Sequence, residues 1–137
     1  MTDSYRLGVE VLARMSAISE TTANRAAEVA PDFARMAIAF PYGELFSRPG
    51  LDLKIREIAA ISALAAMGNA LPQLRVHVVA ALTLGWTREE LIEAIMQVAI
   101  FAGFPAALNA LVGCHDMLST SGGGCKPAQS SGLGDGH

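Results

Sequence analysis

His77 lies on a predicted helix face beside Leu74 and Ala81, three and four residues away, so an imidazole is aimed at an apolar layer. Imidazole titrates near neutrality and can act as a general acid or base when partial burial sets its pKa. A lone histidine on such a face is more often a core residue whose ring nitrogens are satisfied locally. The residues alone leave both readings open. Glu44 interrupts the apolar run PYGELF. It reads either as an exposed carboxylate paired with Arg48 at i+4, or as an acid held under a Pro41 kink near a basic partner. Arg48 precedes Pro49 and is expected in extended geometry, solvated or clamping a substrate carboxylate. Arg56 and Glu57 stand at a helix entrance. Either they are first-turn charges, or one of them points into a pocket beneath the helix end.

Other polar residues carry less. Arg75 is two positions from His77 and faces elsewhere. Gln97 is a lone polar side chain in an apolar turn and needs a partner if buried. Cys114 and His115 are neighbours in sequence, and adjacent helical residues do not face each other, so they make a poor nucleophile–base pair.

The elements that must hold these residues read as helices almost throughout. A first helix is expected over 4–15 with Ser4 as its cap, a second over 21–29, and a third over 33–40 with Asp32 as its cap. Pro41 forces a kink or restart, and SRPG at 47–50 is a turn. Asp52 caps a helix over 53–67 that Gly68 ends, and a helix over 72–84 ends at Gly85. Thr87 and Glu90 form a capping box for a helix reaching residue 102. Pro105 opens the last helix, to about residue 118. Residues 94–113 are apolar enough to imitate a membrane span, but Gly103-Phe104-Pro105 interrupts them, so two buried helices and no membrane are expected. The expected fold class is all-α, one domain over 1–118 built from helical hairpins. A glycine- and serine-rich tail over 119–137 is expected to be flexible.

Composition narrows the function. The chain has 137 residues, of which 52% are hydrophobic and 17% charged. That excess predicts surface buried against another chain, a homo-oligomer. A net charge of −3 with no basic run argues against nucleic acid as a partner. Cys114 and Cys125 have neither metal-ligand nor disulfide-framework spacing, and the N-terminus is no secretory signal, so a reducing cytoplasm is expected. No phosphate-binding glycine loop, G-x-S-x-G or H-E-x-x-H is found.

Two long ordered strings, PYGELFSRPGLDLKIR and RVHVVAALTLGWTREELIEAIMQVAIFAGFPAALNAL, resemble the carboxymuconolactone decarboxylase family. The resemblance covers about residues 30–118. It implies an all-α alkyl hydroperoxidase D-like fold of six to seven helices, assembled as trimers or hexamers through apolar helices. In the related hydroperoxidases a C-x-x-C precedes the histidine by a fixed interval. Here those positions are Ala70 and Gln73, so a thiolate nucleophile and its resolving thiol are both missing. The decarboxylase branch remains. It implies a reaction without cofactor or metal on a small carboxylated lactone or related acid, in aromatic catabolism. Loss of CO₂ leaves a dienolate on the lactone carbonyl oxygen, which must be stabilised before carbon is protonated. The resemblance makes His77 the general acid and Glu44 the group that tunes it. Arg48 and Arg56 become carboxylate or oxyanion contacts. Glu57 resembles the acid that precedes the C-x-x-C, with one extra residue between it and Ala70, and is grouped with the substrate contacts. Two other readings stand beside this one: an isomerase-like proton transfer on the same fold, and a non-catalytic oligomer that binds a small molecule.

Overall fold

The computed structural model describes residues 3–15 and 22–119. Residues 120–137 of the tail expected over 119–137, with Cys125, lie outside the described residues. Those that are described form helices and turns, so the chain is all-α.

Helix α1 spans Ser4–Arg14. Its cap is Asp3 rather than Ser4. The Asp3 carboxylate accepts from the amides of Tyr5 (3.1 Å) and Arg6 (3.3 Å), which frees the Ser4 hydroxyl to reach another element. Helix α2 covers Thr22–Ala26, shorter than the expected 21–29 because residues 27–29 relax into turns before Pro31. Helix α3, Pro31–Ile38, begins on its proline, so Asp32 lies inside the first turn and is not the cap.

Pro41 does not stop the chain. Instead, a π-helical segment runs Ala39–Leu45 directly out of α3. Proline has no amide hydrogen to give to an α-helical ladder. The wider turn is closed downstream, where Phe46 N donates to Pro41 O at 2.8 Å. This segment lies against α1 at backbone distance. A β-carbon on Gly43 would collide with the Ser4 carbonyl, and one on Gly8 would sit 2.6 Å from the Ile38 carbonyl oxygen.

Helices α4 (Leu53–Met67) and α5 (Leu71–Thr83) form a hairpin. Gly68 turns the chain with φ at +76°, a conformation that side-chain-bearing residues avoid. Thr87 accepts from Glu90 N (3.1 Å) and the Glu90 carboxylate accepts from Thr87 N (2.9 Å), the capping box that opens α6, Arg88–Ala102. Gly103, at φ +92°, folds the apolar run back into α7, Phe104–Gly113, and α8 follows at His115–Leu118. The expected last helix is therefore divided at Cys114. Among the described residues no helix is long and apolar enough to cross a membrane.

The main core gathers Ile61, Leu74, Val78, Leu91, Ile95 and Cys114 from α4 to α7 and the turn after it. A smaller cluster joins α1 to the other helices through Val11, Leu12, Met15, Ile38, Leu53 and Ala80. Gln97 is exposed, so its amide makes no demand on the core.

Candidate functional site

The site lies where α5 passes α4 and the π segment. On α4, Leu53, Glu57, Ile61 and Ala65 follow one another at intervals of four and all are buried. A carboxylate thus occupies a stripe that is otherwise hydrocarbon. Across the hairpin, α5 carries His77 on the stripe with Leu74 and Ala81. Glu57 Oε2 and His77 Nδ1 meet at 2.7 Å, the histidine side chain 13% exposed and the glutamate side chain 0%. A carboxylate accepts, so Nδ1–H is the donor and Nε2 is left for other work. Glu57 Oε1 is buried with no hydrogen-bond partner among the described residues. The stripe thus keeps an acid beside the imidazole.

Aromatic rings close the other side. The Tyr42 ring, on the π segment, lies nearly parallel to His77 (19°), with centroids 6.4 Å apart. Phe46 approaches His77 edge-on at 6.3 Å and Tyr42 at 5.3 Å. Burial, reinforced by the Glu57 charge, pushes the Tyr42 phenol up to about 12, so its O–H persists across the physiological range.

Next to this cluster is a cavity of about 280 Å³ whose lining includes Ala26, Phe33, Ile38, Tyr42, Gln73 and His77. Most of the wall is hydrocarbon. The polar residues among the lining are Tyr42, Gln73 and His77. Such a space has the size and lining for a small, mainly apolar molecule, with a few polar groups to orient it.

The residues expected from sequence divide sharply. His77 is at the cavity wall. Glu57 is at the imidazole and is not among the residues that line the cavity. Glu44 is exposed and accepts a hydrogen bond from the Ser4 hydroxyl at 3.0 Å, on the α1 side of the π segment. The contact with His77 expected of Glu44 is made by Glu57. Arg56 donates to two loop carbonyls, Leu51 O at 3.2 Å from Nε and Arg48 O at 3.3 Å from Nη2, and so ties down the turn before α4. Arg48 is exposed, and neither arginine lines the cavity. Cys114 is buried, and desolvation pushes its thiol up despite nearby Arg75, which disfavours the thiolate. Among the described residues no group of three metal-ligating side chains converges.

Tyr42 did not stand out from sequence as more than part of the apolar run PYGELF. The signal for Glu57 was available: its i±4 neighbours, Leu53 and Ile61, are both apolar.

The family model for the carboxymuconolactone decarboxylase family matches residues 31–112. The chain belongs to that family. The matched span of this family member contains the π segment, Glu57 and His77. The chain is 35% identical over 111 residues to a 4-carboxymuconolactone decarboxylase of Acinetobacter baylyi, a match covering 78% of this chain and 81% of that one. It is also 44% identical over 71 residues to an uncharacterized 15.0 kDa protein of Paracoccus denitrificans, covering 51% of this chain and 53% of that protein. The comparisons thus show the family and, in general terms, support a decarboxylase-like function.

Proposed function

We propose that this protein is a cofactor-free decarboxylase of a small carboxylated lactone or related unsaturated acid. The observation that carries the reading is the buried Glu57–His77 pair at the wall of an apolar cavity. The substrate binds with its departing carboxylate against hydrocarbon. There the charged ground state is poorly solvated and loss of neutral CO₂ is favoured. The carbon–carbon bond breaks, and its electron pair moves into the conjugated system as a dienolate. Protonated His77 then gives its Nε2 proton to carbon, and the imidazole is reprotonated from solvent. Glu57 accepts from Nδ1–H throughout, which fixes the ring and reserves Nε2 for the proton transfer. Glu44, Arg48 and Arg56 act, on this reading, from outside the cavity: Arg56 by fixing the turn, Glu44 by bridging to α1.

The assembly is a homo-oligomer on this proposal. Ile100, Phe101, Phe104 and Val112 leave a broad apolar surface on α6 and α7, with Ile100 77% and Phe101 86% exposed in the single chain.

The test is ultraviolet-monitored consumption of γ-carboxymuconolactone by the wild type and His77→Ala side by side, with the oligomeric state checked for both. Turnover by the wild type that vanishes in an intact variant supports the reading. An inactive wild type, or a fully active His77→Ala, overturns it.

A further inference from the structure

Decarboxylation puts negative charge on a carbonyl oxygen, and three arginines on the surrounding helices are held by other groups. Arg56 holds loop carbonyls. On α3, Arg35 lies over the Tyr5 ring at 4.3 Å and 3.6 Å from Asp3. On α5, Arg75 makes a two-pronged contact with Asp116 at 2.7 and 2.8 Å. No arginine or lysine is among the described residues that line the cavity. The donor to that oxygen therefore has to be sought among the neutral lining groups.

We propose that Tyr42 is that donor: its hydroxyl hydrogen-bonds the carbonyl oxygen of a bound unsaturated lactone or enone, while His77 handles the proton. This assignment rests on the proposed function for the reaction it serves. Three features support it. Tyr42 and His77 line the same cavity, their rings nearly parallel. A flat conjugated ring inserted there meets a phenol and an imidazole together. The π segment that carries Tyr42 is anchored by backbone-to-backbone contact with α1, so the phenol is held in place before any ligand binds. The hydroxyl also keeps its proton, since burial and Glu57 hold it as O–H. A neutral donor in an apolar wall suits a charge that develops only during the reaction, because it avoids binding the starting carboxylate as an ion pair.

The class of ligand follows: a compact cyclic carbonyl compound conjugated to an alkene. Furan-2(5H)-one, which has no carboxylate to lose, is a non-reacting probe. Isotope-labelled at the carbonyl carbon, it can be followed by difference infrared spectroscopy when bound to the full chain. The carbonyl band is expected to move to lower wavenumber on the wild type and to return towards its solution position on Tyr42→Phe, while His77→Gln retains the shift. On a turned-over substrate, Tyr42→Phe is expected to lower kcat by about 10²-fold with a much smaller change in KM, the behaviour of a lost oxyanion donor.

A band shift that survives in Tyr42→Phe, or that disappears in His77→Gln alone, overturns the assignment. So does failure of the probe to bind the wild type. The infrared result is independent of decarboxylation. A Tyr42-dependent shift in a protein that decarboxylates nothing keeps this inference and loses the proposed reaction. Full activity in Tyr42→Phe does the reverse.

Discussion

Glu57 Oε2 and His77 Nδ1 lie 2.7 Å apart, although 20 residues and a helical turn separate them in the chain. One oxygen of that carboxylate is satisfied and the other is buried without a partner among the described residues. A packing role alone would be served better by leucine or methionine at this position. The arrangement instead sets which ring nitrogen carries hydrogen. Glu57→Gln can present its amide NH₂ to Nδ1 and so favour hydrogen on Nε2. We expect a folded protein with turnover reduced by about 10²-fold. Imidazole nitrogen chemical shifts in a ¹⁵N–¹H correlation spectrum should report the change of tautomer. Unchanged shifts together with unchanged turnover would remove Glu57 from the mechanism.

Glu44 is the contrasting carboxylate. Glu44→Ala loses a bond to the exposed Ser4 hydroxyl and touches nothing in the cavity. Turnover within about twofold of wild type is expected, since substitutions away from buried features have small effects. A loss comparable to that of Glu57→Gln, measured in the same assay, would mean that Glu44 acts on the site.

Gly43→Ala tests the seat of the π segment. The added methyl meets backbone, the Ser4 carbonyl, which cannot swing aside as a side chain can. A destabilisation of about 1–3 kcal/mol is expected by denaturant titration. Gly50→Ala, where a β-carbon meets nothing within 4 Å, is the control and should stay near wild type. Equal stabilities for the two variants would refute the close approach.

Tyr42 gives the fold an alkaline limit. Its folded pKa, about 12, exceeds the ordinary value of 10.0. The folded state therefore holds the phenolic proton more tightly than the unfolded state. That contribution is fully present below pH 10 and is lost as pH rises towards 12, on the order of 3 kcal/mol in all. Denaturant titrations at pH 9 and pH 11 should show a smaller loss in Tyr42→Phe than in wild type. Parallel losses would show that the phenol is not held as described.

The apolar surface of α6 and α7 predicts self-association. Phe101→Glu places a charge on it, where the native ring is 86% exposed in one chain. Sedimentation velocity should show a smaller species for this variant, with helical content retained. Identical sedimentation for both proteins would place any interface elsewhere.

How far the chain could be read without coordinates depended on whether the information was local. The capping box at Thr87 and Glu90, the break at Gly103 and the bounds of α4 all rest on a few adjacent residues, and each was legible. His77 was legible because its i−3 and i+4 neighbours are apolar. The choice between Glu44 and Glu57 was not, since both sit among apolar residues and only tertiary packing decides which reaches the imidazole. For the same reason the hold of Arg56 on the turn was not legible. Its partners are carbonyls of the preceding turn, and no pattern of residue types announces them. At the start of the chain, Asp3 outcompeted Ser4 as a cap because Ser4 had a distant partner in Glu44.

The π segment holds one residue of slack. In an α-helix each residue turns the chain by about 100°, and one that closes five residues back carries one more residue than α geometry would need. Deleting a single residue between 39 and 41 would let the segment relax to α-helix. The residues on either side would keep their phase, because the one removed is the residue that α geometry does not need, and Tyr42 would turn by only a few tens of degrees. The wider turn is thus the place where the chain can take up a change of one residue in length without turning the faces before and after it. Relatives that differ by one residue there can keep the same helical frame and the same wall.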